Sequence, residues 1–366
     1  DSMSESYPLT IKSRQRLSWN VTLWDENDVE GETSETAFFE TGLLSASDFV
    51  AKWISGNYRV NPRRRYPVDC FRKTFSAQTA VKARLYITAC GLYEAKINGN
   101  RVGDFVLAPG HTDYTKRIQL QTYDVTSLLK SGNNEITVLL ADGWYRGSCG
   151  AWGQKNQYGT QTKLYAQLEI TDNNGNVTIV GTDRSWQWSD DGEIRFADNK
   201  DGEVIEAWRE PSYGGFAKET KCKVLPVSSD NVIVTEHERF AAKRAITTPS
   251  GQKVLDFGQN IAGYISFSLN AKKGQKIKLR FGEMFDENGE FTQKNFQCAN
   301  KKRTKVTPLQ QIEYYVKDGL NEYKTKFAIF GFQYVLIETD VEWKKEDFTA
   351  IAVYSDMEET LVFDSS

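Results

Sequence analysis

The 366 residues carry 46 basic and 49 acidic side chains, a formal net charge of −3. That balance speaks against a nucleic-acid or membrane-surface protein, since either partner demands a basic excess, and no apolar run is long enough to span a bilayer. The length allows more than one domain and a substantial core.

The opening Asp1-Ser2-Met3-Ser4 lacks the basic-then-apolar pattern of a secretion signal, which is compatible with a signal already removed. Leu17, Trp19, Val21 and Leu23 alternate with Ser18, Asn20 and Thr22, which predicts one strand. Asp25 to Glu32 is a polar turn, and Thr36 to Glu40 is a second strand. Two or three strands rarely stand alone, so this segment must borrow packing or expose an edge. Ala51-Lys52-Trp53-Ile54 begins the next unit, and Arg63-Arg64-Arg65 reads as a solvated loop.

Phe71 to Phe75 leads into the stretch that organises the chain, residues 81–147. Ala83, Leu85, Ile87 and Ala89 alternate with Arg84, Tyr86 and Thr88, giving a strand with one apolar face. Tyr93, Ala95 and Ile97 continue the pattern, Asn98-Gly99 suits a tight hairpin turn, and Arg101 to Val106 is the expected return strand. Asp124-Val125-Thr126 is expected to cap a turn of helix through Leu129, ended by Gly132-Asn133-Asn134. Ile136 to Leu140 is a buried strand running into an aromatic loop, Asp142-Gly143-Trp144-Tyr145-Arg146-Gly147. Leu164 to Ile170 and Val177 to Val180 are strands joined by the turn Asp172 to Asn176, and Trp186 and Trp188 read as core residues on one face of another strand. Further strands are expected at Val254 to Phe257, Gly263 to Phe267, Ile277 to Glu283, Tyr323 to Phe327 and Phe332 to Ile337, with a turn at Asp286 to Gly289. No long 3.6-residue period occurs.

These residues also carry a family resemblance. The hairpin GLYEAKINGNRVG, the loop LAPGHTDYTKR and the turn ADGWYRG resemble the amino-terminal β-sandwich of bacterial α-L-rhamnosidases. DFGQNIAGYISF and FAIFGFQYVLIE are similar to a second sandwich in the same enzymes, and LSWNVTLWDENDVEGETSETAFFETGLL to the closing strands of a fibronectin type III-like module. The resemblance implies an all-β chain of several antiparallel β-sandwich domains of jelly-roll or galactose-binding-like type. It places a partial fibronectin type III-like module at 1–49, linking strands at 50–70, a jelly-roll sandwich at 71–209 and a second sandwich at 210–366. The family's usual histidine before the late Gly-Phe pair is replaced by Phe330. In the family the catalytic residues lie on a helical barrel that follows the phrase TAIAVYSDMEETLVFDSS, so none is carried over and this chain is expected to be inactive alone.

Glycoside hydrolysis needs two carboxylates across the sugar. Glu203, Glu206 and Glu210 are close in sequence, but a solvated or structural role is expected for them. Sugar binding needs an aromatic face and a few fixed polar groups. Trp144, Tyr145, Arg146 and Trp152 offer faces and donors, and Asp113, Asp142, Asn156 and Gln157 offer acceptors, in loops around 110–116 and 142–160. A comparable sandwich in some rhamnosidases binds rhamnose through calcium, which implies Asp113 and Asp142 as candidate calcium ligands, although Lys116 opposes a cation beside Asp113. Asp198 to Gly202 resembles a calcium loop but has Lys200 at a ligand position and Arg209 where the closing Glu belongs. Cys70, Cys90, Cys149, Cys222 and Cys298 are odd in number and scattered, so free and mostly buried thiols are expected. The two histidines, His111 and His237, are too few for a histidine-rich metal centre.

The expected function is a scaffold that braces the catalytic barrel of the same polypeptide, with a rhamnose-containing glycan as a candidate ligand. The alternative is a protein-interaction scaffold without a sugar site. Neither nucleic acid nor membrane is an expected partner.

Overall fold

The computed structural model describes residues 10–150, 152–299 and 306–364. The leader reading of Asp1 to Ser4 lies outside the described residues. The chain divides into two compact units at Val50–Ala51.

In the first unit, strands Arg16–Trp19 and Ala37–Glu40 pair antiparallel. Regular pairing stops at Trp19, short of the expected Leu23; beyond it, bonds from Ser34 N–H to Val21 O and from Gly31 N–H to Leu23 O continue toward the turn where the Asp25 carboxylate accepts the N–H groups of Asn27 and Val29. Leu23 and Phe38 are left 65% and 62% exposed, more apolar surface than two strands can cover.

The second unit begins with two facing sheets. One runs in the order Lys218–Thr220, Trp53–Ser55, Lys163–Asp172, Ala80–Cys90, Gln119–Asp124, Val227–Ser228, with Val177–Gly181 also on Lys163–Asp172. The other runs Gly215–Phe216, Gln187–Ser189, Asp69–Ala77, Gly132–Ala141, Leu92–Ile97, Asn100–Arg101. The alternation read from sequence fills the space between them: Ala83, Leu85, Ile87 and Ala89 meet Phe71, Ile97, Ile136, Val138 and Leu140. The Asn98-Gly99 turn has φ of 51° and 83°, the left-handed pair that a two-residue hairpin requires. Its return strand is only Asn100–Arg101 rather than Arg101 to Val106, since Gly103 takes φ 64° and leads the chain away. Asp124 accepts from the N–H and hydroxyl of Thr126, and the turn that follows is 3-10, Thr126–Leu128. Trp186 is fully buried, but it precedes the strand Gln187–Ser189 that holds Trp188.

Besides two small antiparallel pairs, Met284–Phe285 with Phe291–Thr292 and Cys298–Ala299 with Val306–Thr307, a ten-stranded sheet forms the rest, in the order Ile194–Asp198, Gly202–Glu206, Gln311–Tyr315, Lys276–Gly282, Phe330–Thr339, Lys253–Ala271, Phe348–Ser355, Val234–Ala241. Arg244–Thr247 and Gly319–Lys324 also pair with its long strand Lys253–Ala271. The register of that strand against Phe330–Thr339 shifts between Asp256 and Ile261; on its other side Lys253–Asp256 pairs with Arg244–Thr247 and Gly263–Phe267 with Phe348–Ser355. Phe330, standing where the family has histidine, stacks on Phe281 at 4.2 Å in this core. Ile194–Asp198 and Gly202–Glu206 join this sheet, whereas Gly215–Phe216, Lys218–Thr220 and Val227–Ser228 return to the first two. The expected boundary at 209–210 therefore does not fall between the sheets. Among the described residues two pairings are parallel, Gly202–Glu206 on Gln311–Tyr315 and Val227–Ser228 on Gln119–Asp124, and the others are antiparallel.

Candidate functional site

The aromatic loop after Gly132–Ala141 is one turn of α-helix, Gly143–Arg146. Gly143 has φ 52°, and a Cβ there would lie 2.6 Å from Leu92 Cγ, so only glycine fits. The turn points its side chains in different directions. Arg146 is turned inward and buried, donating from Nε to Asp142 Oδ1 at 2.7 Å and from Nη1 to the Tyr58 hydroxyl. Its guanidinium also lies 4.6 Å from the Tyr66 ring centre. Burial disfavours the Arg146 charge, but Asp142, Tyr58 and Asp69 outweigh it and push the pKa up. Burial pushes Asp142 up despite Arg146. Asp69, fully buried, is pushed up to about 6 by burial, against the Arg146 charge and hydrogen bonds from Trp188 Nε1 and Thr162 Oγ1. Tyr145 is buried edge-on against Tyr114, with centroids 5.4 Å apart.

Trp144 is the member of this turn whose ring stays half-exposed. It stacks on His111, centroids 5.3 Å apart and planes 29° apart. With its amide turned to face the indole, Asn199 accepts from Trp144 Nε1 at 2.8 Å and donates to Ser148 O at 3.3 Å. His111 and Tyr114 each meet Tyr158, at 6.4 and 5.2 Å. The two loops around 110–116 and 142–160 are therefore drawn together by aromatic contacts. Burial and the Lys200 charge hold His111 below its usual pKa, so its ring is neutral near pH 7. Trp152 is 66% exposed. Asn156, at φ 60°, donates its side-chain amide to Pro62 O at 3.1 Å and its N–H to Arg146 O, so it fastens the loop.

Of the sequence candidates, Trp144 and Trp152 offer ring surface to solvent, while Tyr145, Arg146 and Asp142 hold the turn from inside. His111, Tyr158 and Asn199 were not singled out by sequence as members of this group. In the loop LAPGHTDYTKR, Leu107 and Gly110 both take positive φ just before His111, a bend that the sequence does not announce at Leu107.

Calcium requires six to eight oxygens. Asp113 accepts from the N–H and hydroxyl of Thr115, which lowers its pKa, and it lies 3.6 Å from Lys116 Nζ. Asp142 is paired with Arg146. Among the described residues no three Asp, Glu, His or Cys side chains gather as a metal would need. Each candidate carboxylate already has a cation, and the donor set does not fit calcium. The loop Asp198 to Gly202 is a strand connection: Asp198 accepts the N–H groups of Lys200, Asp201 and Ser148, and Asp201 accepts from Thr307 and Leu309.

Two of the three tempting glutamates are equally committed. Glu203 accepts from the Tyr323 hydroxyl at 2.7 Å and the N–H groups of Lys326 and Phe327, and burial raises its pKa against them. Glu206 pairs with Arg209. Glu210 is exposed at the rim of a cavity of about 330 Å³. Inside that cavity Glu193 lies 3.2 Å from Lys326, and Glu94 lies 3.8 Å from Arg101.

Comparison with known proteins gives three domain matches. Residues 78–244 match the model of the alpha-L-rhamnosidase N-terminal domain, 246–354 that of the bacterial alpha-L-rhamnosidase concanavalin-like domain, and 2–45 that of a Rha78A-like N-terminal immunoglobulin domain. An alpha-L-rhamnosidase of Formosa agariphila is 33% identical over 356 residues, covering 90% of this chain and 37% of that protein. One of Streptomyces avermitilis is 36% identical over 347 residues, covering 89% of this chain and 32% of that protein. The chain thus spans well under half the length of these relatives. Among solved structures, the Aspergillus terreus α-L-rhamnosidase superposes with TM-score 0.84 at 31% identity, over 95% of this chain and 41% of that one. The Streptomyces avermitilis enzyme complexed with L-rhamnose superposes with TM-score 0.82 over 94% of this chain and 50% of that one; at 22% identity this is a likeness of fold.

Proposed function

Because this chain belongs among the bacterial α-L-rhamnosidases as their N-terminal and concanavalin-like domains, we propose that it is a supporting, non-catalytic part of an enzyme acting on terminal α-L-rhamnose. In this reading it braces a catalytic domain of the same polypeptide. The observation that carries it is the fate of the carboxylates: Glu203 is locked by a phenol and two N–H groups, and Glu206 by Arg209. A retaining or inverting mechanism needs two carboxyl groups free to face one sugar, and these are not. Purified chain incubated with an aryl α-L-rhamnoside should release no aglycone; clear turnover would falsify the reading.

A second reading rests on a different observation. The exposed ring of Trp152 and the His111–Trp144–Tyr158 group provide flat apolar faces beside amides, as sugar sites do. We infer a weak site for a rhamnose-containing glycan there, independent of calcium. Titration of rhamnose followed by tryptophan fluorescence should give a saturable change, the same with calcium or chelator. A flat response would favour the protein-interaction scaffold.

A further inference from the structure

Along Ala80–Cys90 the inward residues Ala83, Leu85, Ile87 and Ala89 enter the core between the first two sheets. Tyr86, Thr88 and Cys90 alternate with them and so lie on the outer face. At one edge of this sheet Thr220 pairs with Trp53, and at the other Val227 pairs with Gln119. Residues 221–226 therefore cross the outer face from edge to edge. Two contacts hold this strap midway. Lys163, opposite Cys90 on the neighbouring strand, donates from Nζ to Lys221 O at 2.8 Å. Cys222, the residue after Lys221, packs on the cluster of Cys90, Tyr114, Ile118 and Tyr145.

We propose that Cys90 and Cys222 are an oxidisable dithiol, closed to a disulfide by a low-molecular-weight disulfide, which fastens the strap across the sandwich. The two positions are far apart in sequence, and the crossing of the strap over the sheet brings them together.

The pair has the asymmetry that exchange requires. The neighbouring Cys90 thiol lowers the Cys222 thiol to about 6, aided by the N–H of Val224, the Lys163 charge and the N–H of Lys223, and opposed by burial. The Cys222 neighbour and burial together push the Cys90 thiol well above its ordinary value. Cys70, by contrast, is pushed up to about 12 by burial and is inert. The Cys222 thiolate attacks one sulfur of the small disulfide and releases one small thiolate. Cys90 then gives its proton to solvent, attacks the Cys222 sulfur and releases the second. The protein loses two electrons and two protons in all, and the small disulfide gains them as two thiols.

The test treats the whole chain with oxidised glutathione, alkylates what remains and maps peptides without reduction. The expected result is a Cys90–Cys222 cross-linked peptide and loss of two of the five thiols. In Cys90→Ser the same treatment should stop at glutathione held on Cys222. Five alkylated cysteines in the oxidised wild type, glutathione on Cys222 beside an alkylated Cys90, or a cross-link to another cysteine would each overturn the proposal.

Discussion

The His111 imidazole lies against the Trp144 indole, 5.3 Å between centroids, and joins two loops that are more than thirty residues apart in the chain. On the sugar-binding reading, this stack and the exposed Trp152 are the ring faces a pyranose could rest on. Trp152→Ala should abolish or weaken the rhamnose-dependent fluorescence change while altering stability by less than about 0.5 kcal/mol, as exposed positions do. Unchanged titration in this variant, with a response in the wild type, would place the sugar elsewhere.

Arg146 is the cation for two buried carboxylates, Asp142 in direct contact and Asp69 through space. Arg146→Ala would take the ion-pair partner from Asp142 and leave Asp69 with only its hydrogen bonds from Trp188 and Thr162. Removing one partner of such a pair costs about 3–5 kcal/mol, so urea unfolding should show a midpoint far below the wild type. A loss under about 1 kcal/mol would mean the network is less isolated from water than its burial indicates.

Asp69 supplies a pH dependence of known sign. Its pKa rises from an ordinary carboxylate value to about 6 on folding, so the folded state binds the extra proton. Stability from this group is therefore highest below about pH 4 and falls as pH rises toward about 6, then levels. Asp69→Asn does not ionise and lacks that fall. The stability of the variant relative to wild type should increase across this window, measured as the difference in melting temperature at pH 4, 5, 6 and 7. A difference independent of pH would contradict the assignment.

Gly202 takes φ 110° where the strand Gly202–Glu206 starts its parallel pairing with Gln311–Tyr315. A Cβ there would fall 1.7 Å from Gln311 O, a backbone atom with no room to withdraw. Gly202→Ala should cost about 2–3 kcal/mol or more by combined overpacking and backbone strain. Gly175→Ala serves as the control: it has φ 82° with open space around it, and the strain alone should cost about 1 kcal/mol.

Much of the fold is legible in the chain itself. The alternation of Ala83, Leu85, Ile87 and Ala89 and the left-handed tolerance of Asn98-Gly99 are local properties, set by the period of a strand and the sterics of a turn. They suffice for an all-β sandwich, and the motifs around them suffice for the family. Spacing does not reveal which side of Asp142 to Gly147 faces water. Trp144 and Arg146 are two residues apart, yet one stacks on a histidine near the surface and the other is buried between Asp142 and Tyr66. Nor could spacing bring Cys222 to Cys90 or pair Gly202 with Gln311 in parallel. These contacts arise where the chain crosses between sheets, and their energy comes from packing between segments far apart in sequence. Local preference decides what a segment becomes; tertiary burial decides which of its side chains remain available for chemistry.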